Sequence, residues 1–261
     1  MKLGKKAAKH DPRTLKLSRY LWAVEPAPPA CDWTKGVTDF GQMLNTSLGD
    51  CVYAGIGHAI QIWTMQAGHE VTVPDSTILS YYEQWSGYNP SEPSTDNGAV
   101  ELDVLTKWRQ QGFAGQPLSA FASVDPQNIE HVRQSIFLMG GIYLGIQLPR
   151  SAEAQVGGVW DVEHPKKPCL ITRLFHHQEP DPAYEPGSWG GHCVFAPSFS
   201  DHDQTITCLT WGKPQKMTYD FFRTYCDEAY ALLSPDWLND GHSPQGFDLG
   251  TLSKDLQEVT G

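Results

Sequence analysis

Asn45-Thr-Ser-Leu-Gly-Asp-Cys51 runs straight into Val52-Tyr-Ala-Gly-Ile-Gly-His-Ala-Ile60, and this junction constrains the fold more than any other stretch. An amide side chain stands six residues before the cysteine. After the cysteine, Val52, Ile56, Ala59, Ile60 and Trp63 recur at helical spacing. That period predicts a buried helix from Cys51 to about Met65 or Gln66, stopped by Gly68. A cysteine in the first turn meets the partial positive charge of unpaired N–H groups, which favours thiolate over thiol. Thiolate is the nucleophile, so the position suits covalent catalysis. The competing reading is an inert core thiol, the commoner fate of a free cysteine.

The second signal is Gly190-Gly191-His192-Cys193-Val194-Phe195-Ala196, where a histidine follows two glycines and opens an apolar strand. A neutral imidazole beside the sulfur can take its proton, and the imidazolium formed then holds the thiolate. The paired glycines leave room for a substrate chain to approach. A histidine at a strand start is by itself ordinary structure; paired with Cys51 it becomes the candidate base.

Composition narrows the classes. A chain of 261 residues with 9 Trp, 10 Tyr and 10 Phe can bury a large core without staples. The formal charge of −11 argues against a nucleic-acid partner, because phosphate neutralisation needs clustered Lys and Arg. The longest mostly apolar stretch, Ile136 to Ile146, is interrupted by Gly140 and Gly141 and too short to cross a bilayer. The basic start, Met1 to His10, lacks the apolar run of a secretory signal. The expectation is a cytoplasmic protein with no membrane partner and its six cysteines as free thiols.

Along the chain, residues 1–30 read as a basic and Pro-rich arm, its first twenty residues loosely ordered; 31–240 read as the body and 241–261 as a tail. Helices are predicted at 76–87, at Glu101 to Gln111, after an Asp125-Pro126 cap, and briefly after Thr218. Four strands are predicted, at Ile142–Leu148, His192–Ser198, Thr205–Trp211 and Ala229–Leu233, with residues 149–191 mostly loop. Helices first and antiparallel strands later make an α+β chain.

These ordered features resemble the papain-like cysteine peptidase superfamily. Asp32-Trp33 precedes the nucleophile segment as an Asp-Trp pair does in papain-type enzymes, and Thr210-Trp211-Gly212 matches the end of their Asn-Ser-Trp-Gly signature. Cys51 and His192 lie 141 positions apart, within the roughly 130–150 typical of that group. Asp50-Cys51 with its upstream amide is also similar to the peptidase domains of bacteriocin-processing transporters. The resemblance covers roughly residues 32–66 and 126–212 and implies a papain-like fold, an N-terminal helical half packed on a C-terminal antiparallel sheet. It implies Cys51 as nucleophile, His192 as base, Asn45 as oxyanion donor and Trp211 as a shield over the histidine. The implied activity is a thiol-dependent hydrolase, a cysteine peptidase acting on a peptide or protein substrate and needing no cofactor. With no long leader before Asp32, control by zymogen cleavage is not expected.

Two departures count against activity, at Leu209 and at Asp50. Leu209 stands where the family has the asparagine that orients the histidine, and leucine cannot hydrogen-bond. Asp201, Asp203, Thr207 and Thr210 are the candidate substitutes. Asp50 would raise the thiol pKa unless it points away, and capping the helix is its expected role. Leu209 motivates the alternative of an inactive papain-fold module that binds a peptide or protein. Acyl transfer and deamidation share the same thiol chemistry and stay open. His164, Cys169, His176, His177, His192, Cys193 and His202 crowd one region but lack ligand spacing, so no metal is expected.

Overall fold

The computed structural model describes residues 1–21, 26–164 and 181–237. In chain order the elements are β1 (Ala30–Asp32), α1 (Cys51–Gln66), α2 (Asp75–Ser86), α3 (Glu101–Gln111), β2 (Ala120–Ser123), α4 (Ile129–Met139), β3 (Ile142–Leu148), β4 (Val159–Trp160), β5 (Gly190–Ser200), β6 (Thr205–Thr210), β7 (Lys213–Thr218), α5 (Tyr219–Tyr225) and β8 (Cys226–Leu233). The eight strands form one sheet in the order β2-β8-β3-β5-β6-β7-β4, with β1 added along β5. All pairs are antiparallel except β4 with β7. This is the expected α+β organisation.

The core has two parts, one on each face of the sheet. Tyr143, Phe195, Leu209 and Tyr230 pack with α1, α2 and α3. Ile142, Leu144, Ile146 and Val194 pack with α4 and α5 on the other side. Alternation along β3 places successive side chains on opposite faces, so one strand serves both cores. Every residue of α1 from Cys51 to Thr64 is buried. Gly55 lets that helix lie close on the sheet, since a Cβ there would stand 2.9 Å from the Tyr143 ring. The Tyr143 hydroxyl donates to the Val52 carbonyl at 2.5 Å and ties β3 to the helix start.

Several expectations hold and several shift. The bounds of α1 and α3 are those predicted, and Thr218 caps α5 by accepting from the Phe221 N–H. α2 sits one residue earlier, at Asp75–Ser86, because Gly87 takes a left-handed turn that ends it. The Asp125 cap is displaced: Asp125 closes a turn onto Gln127, and Asn128 caps α4 by accepting from His131. Four strands beyond the predicted ones, β1, β2, β4 and β7, complete the sheet. The 241–261 tail lies outside the described residues. Among the described residues no helix is long and apolar enough to cross a membrane.

The N-terminal arm is seated, not loose. The Lys6 N–H donates to the Ala99 carbonyl, the Ala99 N–H to the Gly4 carbonyl, and the Lys5 N–H to the Gly191 carbonyl, at 2.9–3.0 Å. Farther on, Ser123 donates to the Leu15 carbonyl, and Leu17 and Leu21 enter the core.

Candidate active site

Cys51 is the first residue of α1 and fully buried. Its Sγ receives the backbone N–H of Cys193 at 3.4 Å, across 142 positions of sequence, so α1 meets β5 at the residue after His192. The helix start and the strand start foreseen as partners are therefore neighbours.

His192 is also fully buried. Its ring stacks on Trp211, with centroids 4.7 Å apart and planes 14° from parallel. Trp160 and Trp189 flank Trp211 in turn. The Nε2 of His192 lies 2.6 Å from the Thr210 hydroxyl, and Nδ1 has no hydrogen-bond partner among the described residues. Thr210 thus contacts the imidazole, while Asp201 and Asp203 are engaged elsewhere, Asp201 by Arg133 and the Tyr219 hydroxyl and Asp203 by His202. Thr207 pairs with Ser198 and Lys216, several residues along β6. Leu209 faces the α1 core, where it is 1 % exposed beside Phe195.

Asn45 and Asp50 form a buried pair: Asn45 Nδ2 donates to Asp50 Oδ1 at 3.3 Å. This holds the amide one residue from the Cys51 backbone. Asp50 does not cap α1 with its side chain, contrary to expectation. Burial pushes its pKa up to about 8, partly opposed by the hydrogen bond from Asn45. Near neutral pH it is protonated, so it puts no charge beside the thiol. Met43 and Leu44, just before Asn45, and Trp211, beside the histidine, all have φ between +50° and +63°. Non-glycine residues held there cost about 1–3 kcal/mol each, and here they bracket the site from two sides.

Burial dominates the electrostatics. It pushes the Cys51 thiol up to about 12, partly opposed by the Cys193 N–H. It drives His192 down to about 3. Both groups are neutral in this state. The arm passes beside them: the Lys5 N–H donates to the Gly191 carbonyl, one residue before His192, and Gly4 packs on Gly49, two residues before Cys51.

Other residues of the site were not singled out in the sequence. Lys5 is buried, and its ammonium pairs with Asp227 at 2.9 Å and Glu228 at 3.0 Å, with Glu101 close by. The Met1–His10 run signalled positive charge but not the partners, which come from α3 and β8. Among the described residues no group of three His, Cys, Asp or Glu could hold a metal, and Cys169, His176 and His177 lie outside them. The five described cysteines are free thiols.

No protein-family model matches the chain. No curated protein matches it in sequence. Solved structures do. Xylellain, a cysteine protease from Xylella fastidiosa, superposes with a TM-score of 0.59 at 13% identity, covering 88% of this chain and 95% of that one. The proform of the ragweed pollen allergen Amb a 11, a cysteine protease, gives 0.52 at 13% identity over 85% of this chain and 74% of that one. Digestive procathepsin L 3 of Tenebrio molitor larval midgut gives 0.53 at 8% identity over 82% and 72%. The chain has the papain-like cysteine protease fold.

Proposed function

We propose that the protein is a thiol-dependent hydrolase that cleaves a peptide or other amide bond, with Cys51 as nucleophile and His192 as base. The observation that carries this reading is the Cys193 N–H on the Cys51 sulfur, beside a histidine whose Nε2 is already taken by Thr210. With Nε2–H donating to the Thr210 oxygen, Nδ1 is the nitrogen left to accept the thiol proton. The thiolate then adds to the substrate carbonyl. The Cys51 N–H, unpaired at a helix start, and Asn45 Nδ2 receive the oxyanion. Nδ1–H protonates the leaving amine, and a water deprotonated by His192 resolves the thioester. Trp211, stacked on the ring, limits water at the imidazole and fixes its plane. Thr210 acts as a positioning residue, in place of the asparagine whose position Leu209 occupies.

The test is cleavage of a broad peptide library by the full chain carrying Gly4→Val, which loosens the arm, with and without Cys51→Ala. Hydrolysis that disappears in the Cys51→Ala protein is the expected outcome. Cleavage that survives the substitution refutes the assignment. The covered, neutral thiol also favours a second reading, a papain-fold module that only binds peptide. Retention of library peptides by both proteins with cleavage by neither would establish that one.

A further inference from the structure

The loop before α1 folds back on itself and brings two polar side chains together. Asn45 donates its backbone N–H to the Gln42 carbonyl, and Leu48 its own to the Leu44 carbonyl, at 3.0 Å each. The positive φ of Met43 and Leu44 tightens this turn. Met43 packs on α1 where Gly57 leaves room for it, a Cβ there standing 2.3 Å from the methionine sulfur. Asn45 and Asp50 end 2 % and 0 % exposed, joined by the bond from Asn45 Nδ2 to Asp50 Oδ1. The Asp50 carbonyl serves the helix, accepting from the Tyr53 and Ala54 N–H groups, but its side chain does no capping. A buried carboxyl beside the nucleophile thus serves a neighbouring amide and not the helix that follows it.

The surroundings of Asp50 are acidic. Asp96, in the loop after α2, and Asp75, at the start of α2, both favour its protonated form. Asp96 is itself held by Lys2, by the Tyr82 hydroxyl at 2.5 Å and by the Gly49 N–H at 3.0 Å. No cation pairs with Asp50 among the described residues. On α1 itself Cys51 comes next, and Tyr53 stands one turn on. The Tyr53 hydroxyl and Asp50 Oδ2 are both buried without a hydrogen-bond partner. Burial, two nearby acids and no cation keep the carboxyl neutral, an acceptor at Oδ1 with its own O–H at Oδ2.

We propose that Asp50 is the positioning residue of the oxyanion site, its carboxyl accepting one hydrogen of the Asn45 amide so that the other is aimed at the substrate carbonyl oxygen. This rests on the hydrolase reading above. The amide nitrogen carries two hydrogens, and fixing one in a buried bond fixes the direction of the other. A preorganised donor acts on the charge that develops during reaction, and so on kcat more than on KM. Ionisation of Asp50 puts a negative charge beside the oxyanion and opposes that effect. The rate therefore falls as pH rises through the carboxyl's value of about 8.

Two measurements on the full chain test this. The first needs no cleavage. The side-chain amide signals of Asn45 are followed by NMR from about pH 6 to 9.5 in protein labelled with 15N-asparagine, and are assigned by their loss in Asn45→Ser. With the native Asp50 they are expected to shift with a midpoint of about 8. In Asp50→Asn, which keeps an acceptor oxygen and cannot ionise, they are expected to stay fixed. Signals that ignore pH with the native Asp50, or that titrate equally in Asp50→Asn, overturn the proposal. The second measurement is peptide hydrolysis by the Gly4→Val protein. Asp50→Ala is expected to lower kcat at least tenfold with KM within twofold, while Cys51 alkylation at pH 7 stays within twofold. Asp50→Asn is expected to rescue kcat at pH 7 and to abolish the alkaline fall. An alanine variant as fast as its parent, or one that loses alkylation together with kcat, refutes the positioning role. Absence of cleavage in every variant sinks the hydrolase reading and the oxyanion role with it, while the amide signals still decide whether Asp50 holds Asn45.

Discussion

The Thr210 hydroxyl offers the most direct probe of the site. Thr210→Val keeps the shape of the side chain and removes one oxygen. That oxygen lies 2.6 Å from His192 Nε2, with His192 completely buried and Thr210 3 % exposed, so no bulk water replaces the bond. A neutral buried hydrogen bond contributes about 0.5–1.5 kcal/mol net, and one to a charged group about 1.5–3 kcal/mol. In the resting state the bond is neutral. During reaction the ring becomes an imidazolium, and the bond strengthens just when charge develops. The difference, about 1–2 kcal/mol, is the part that affects rate, which is roughly a five- to thirtyfold loss in kcat/KM. The assay is peptide hydrolysis by the Gly4→Val protein with and without Thr210→Val, alongside the pH profile of Cys51 alkylation. Thr210→Ser restores the hydroxyl and is expected to recover most of the rate. A valine variant within twofold of the parent, or a serine variant no better than valine, refutes the positioning role.

Leu209→Asn, which restores the family's residue at the matching position, is expected to destabilise by about 3–5 kcal/mol in urea and to leave the rate of a Thr210→Val protein unrescued, because position 209 points into the α1 core and would bury an unpaired amide. Asp50→Asn is expected to stabilise. The folded carboxyl holds its proton up to about pH 8 against an ordinary value of 3.8, so the native protein loses stability as pH rises between those values. The asparagine variant should match it near pH 4 and exceed it by more than about 1 kcal/mol at pH 8 in urea melts; a pH-independent difference would contradict the buried proton. His58, buried on α1 with Nε2 against the Gly41 carbonyl, is driven down to about 4 by that burial. Its unfolded form protonates near 6.5, so its contribution is lost as pH falls from 6.5 through 4, and His58→Gln should flatten the acid limb of the urea-midpoint profile.

The parts of the fold that the sequence announces are those where one residue type does one job. α1 is legible because Val52, Ile56, Ile60 and Trp63 repeat at helical period in a helix with no exposed face, and α3 because Gly112 can only end it. β7 is not, since Lys213-Pro-Gln-Lys-Met-Thr buries only Gln215 and Met217, and its place is set by pairing with β6. β1 and β4 have three and two residues, too short for any period to show. In the site, Cys51, His192 and Trp211 carry their own signals. Thr210 was one of four candidates, and only the register of β6 against β5 and β7 separates it from its neighbours. The acids around Lys5 were hidden for a different reason. Glu101 looks like the acidic first turn of a helix, a place where glutamate is common, and Glu228 like a polar residue in an alternating strand. Only the fold brings both under Gly145 and next to a lysine more than ninety positions away.

The closed state explains why a helix start alone does not make Cys51 reactive. The partial charge of the α1 N-terminus favours thiolate, yet the thiol is pushed up to about 12, because loss of water outweighs a dipole of about half a charge. The same loss sends His192 down to about 3, so the proton stays on sulfur and no ion pair forms. The two shifts oppose catalysis together and share one cause, burial, and the arm packs on Gly49 and Gly191 at the edge of the pair. Removing the arm therefore acts on both at once, lowering the thiol and raising the imidazole, whereas a substitution in the helix or at His192 could move only one. The alkylation profile carries the signature of this coupling. On going from the native chain to Gly4→Val, Cys51 reactivity should shift toward lower pH as well as rise. A rise at every pH by one constant factor would mean that the arm blocks access alone and leaves the electrostatics of the pair untouched.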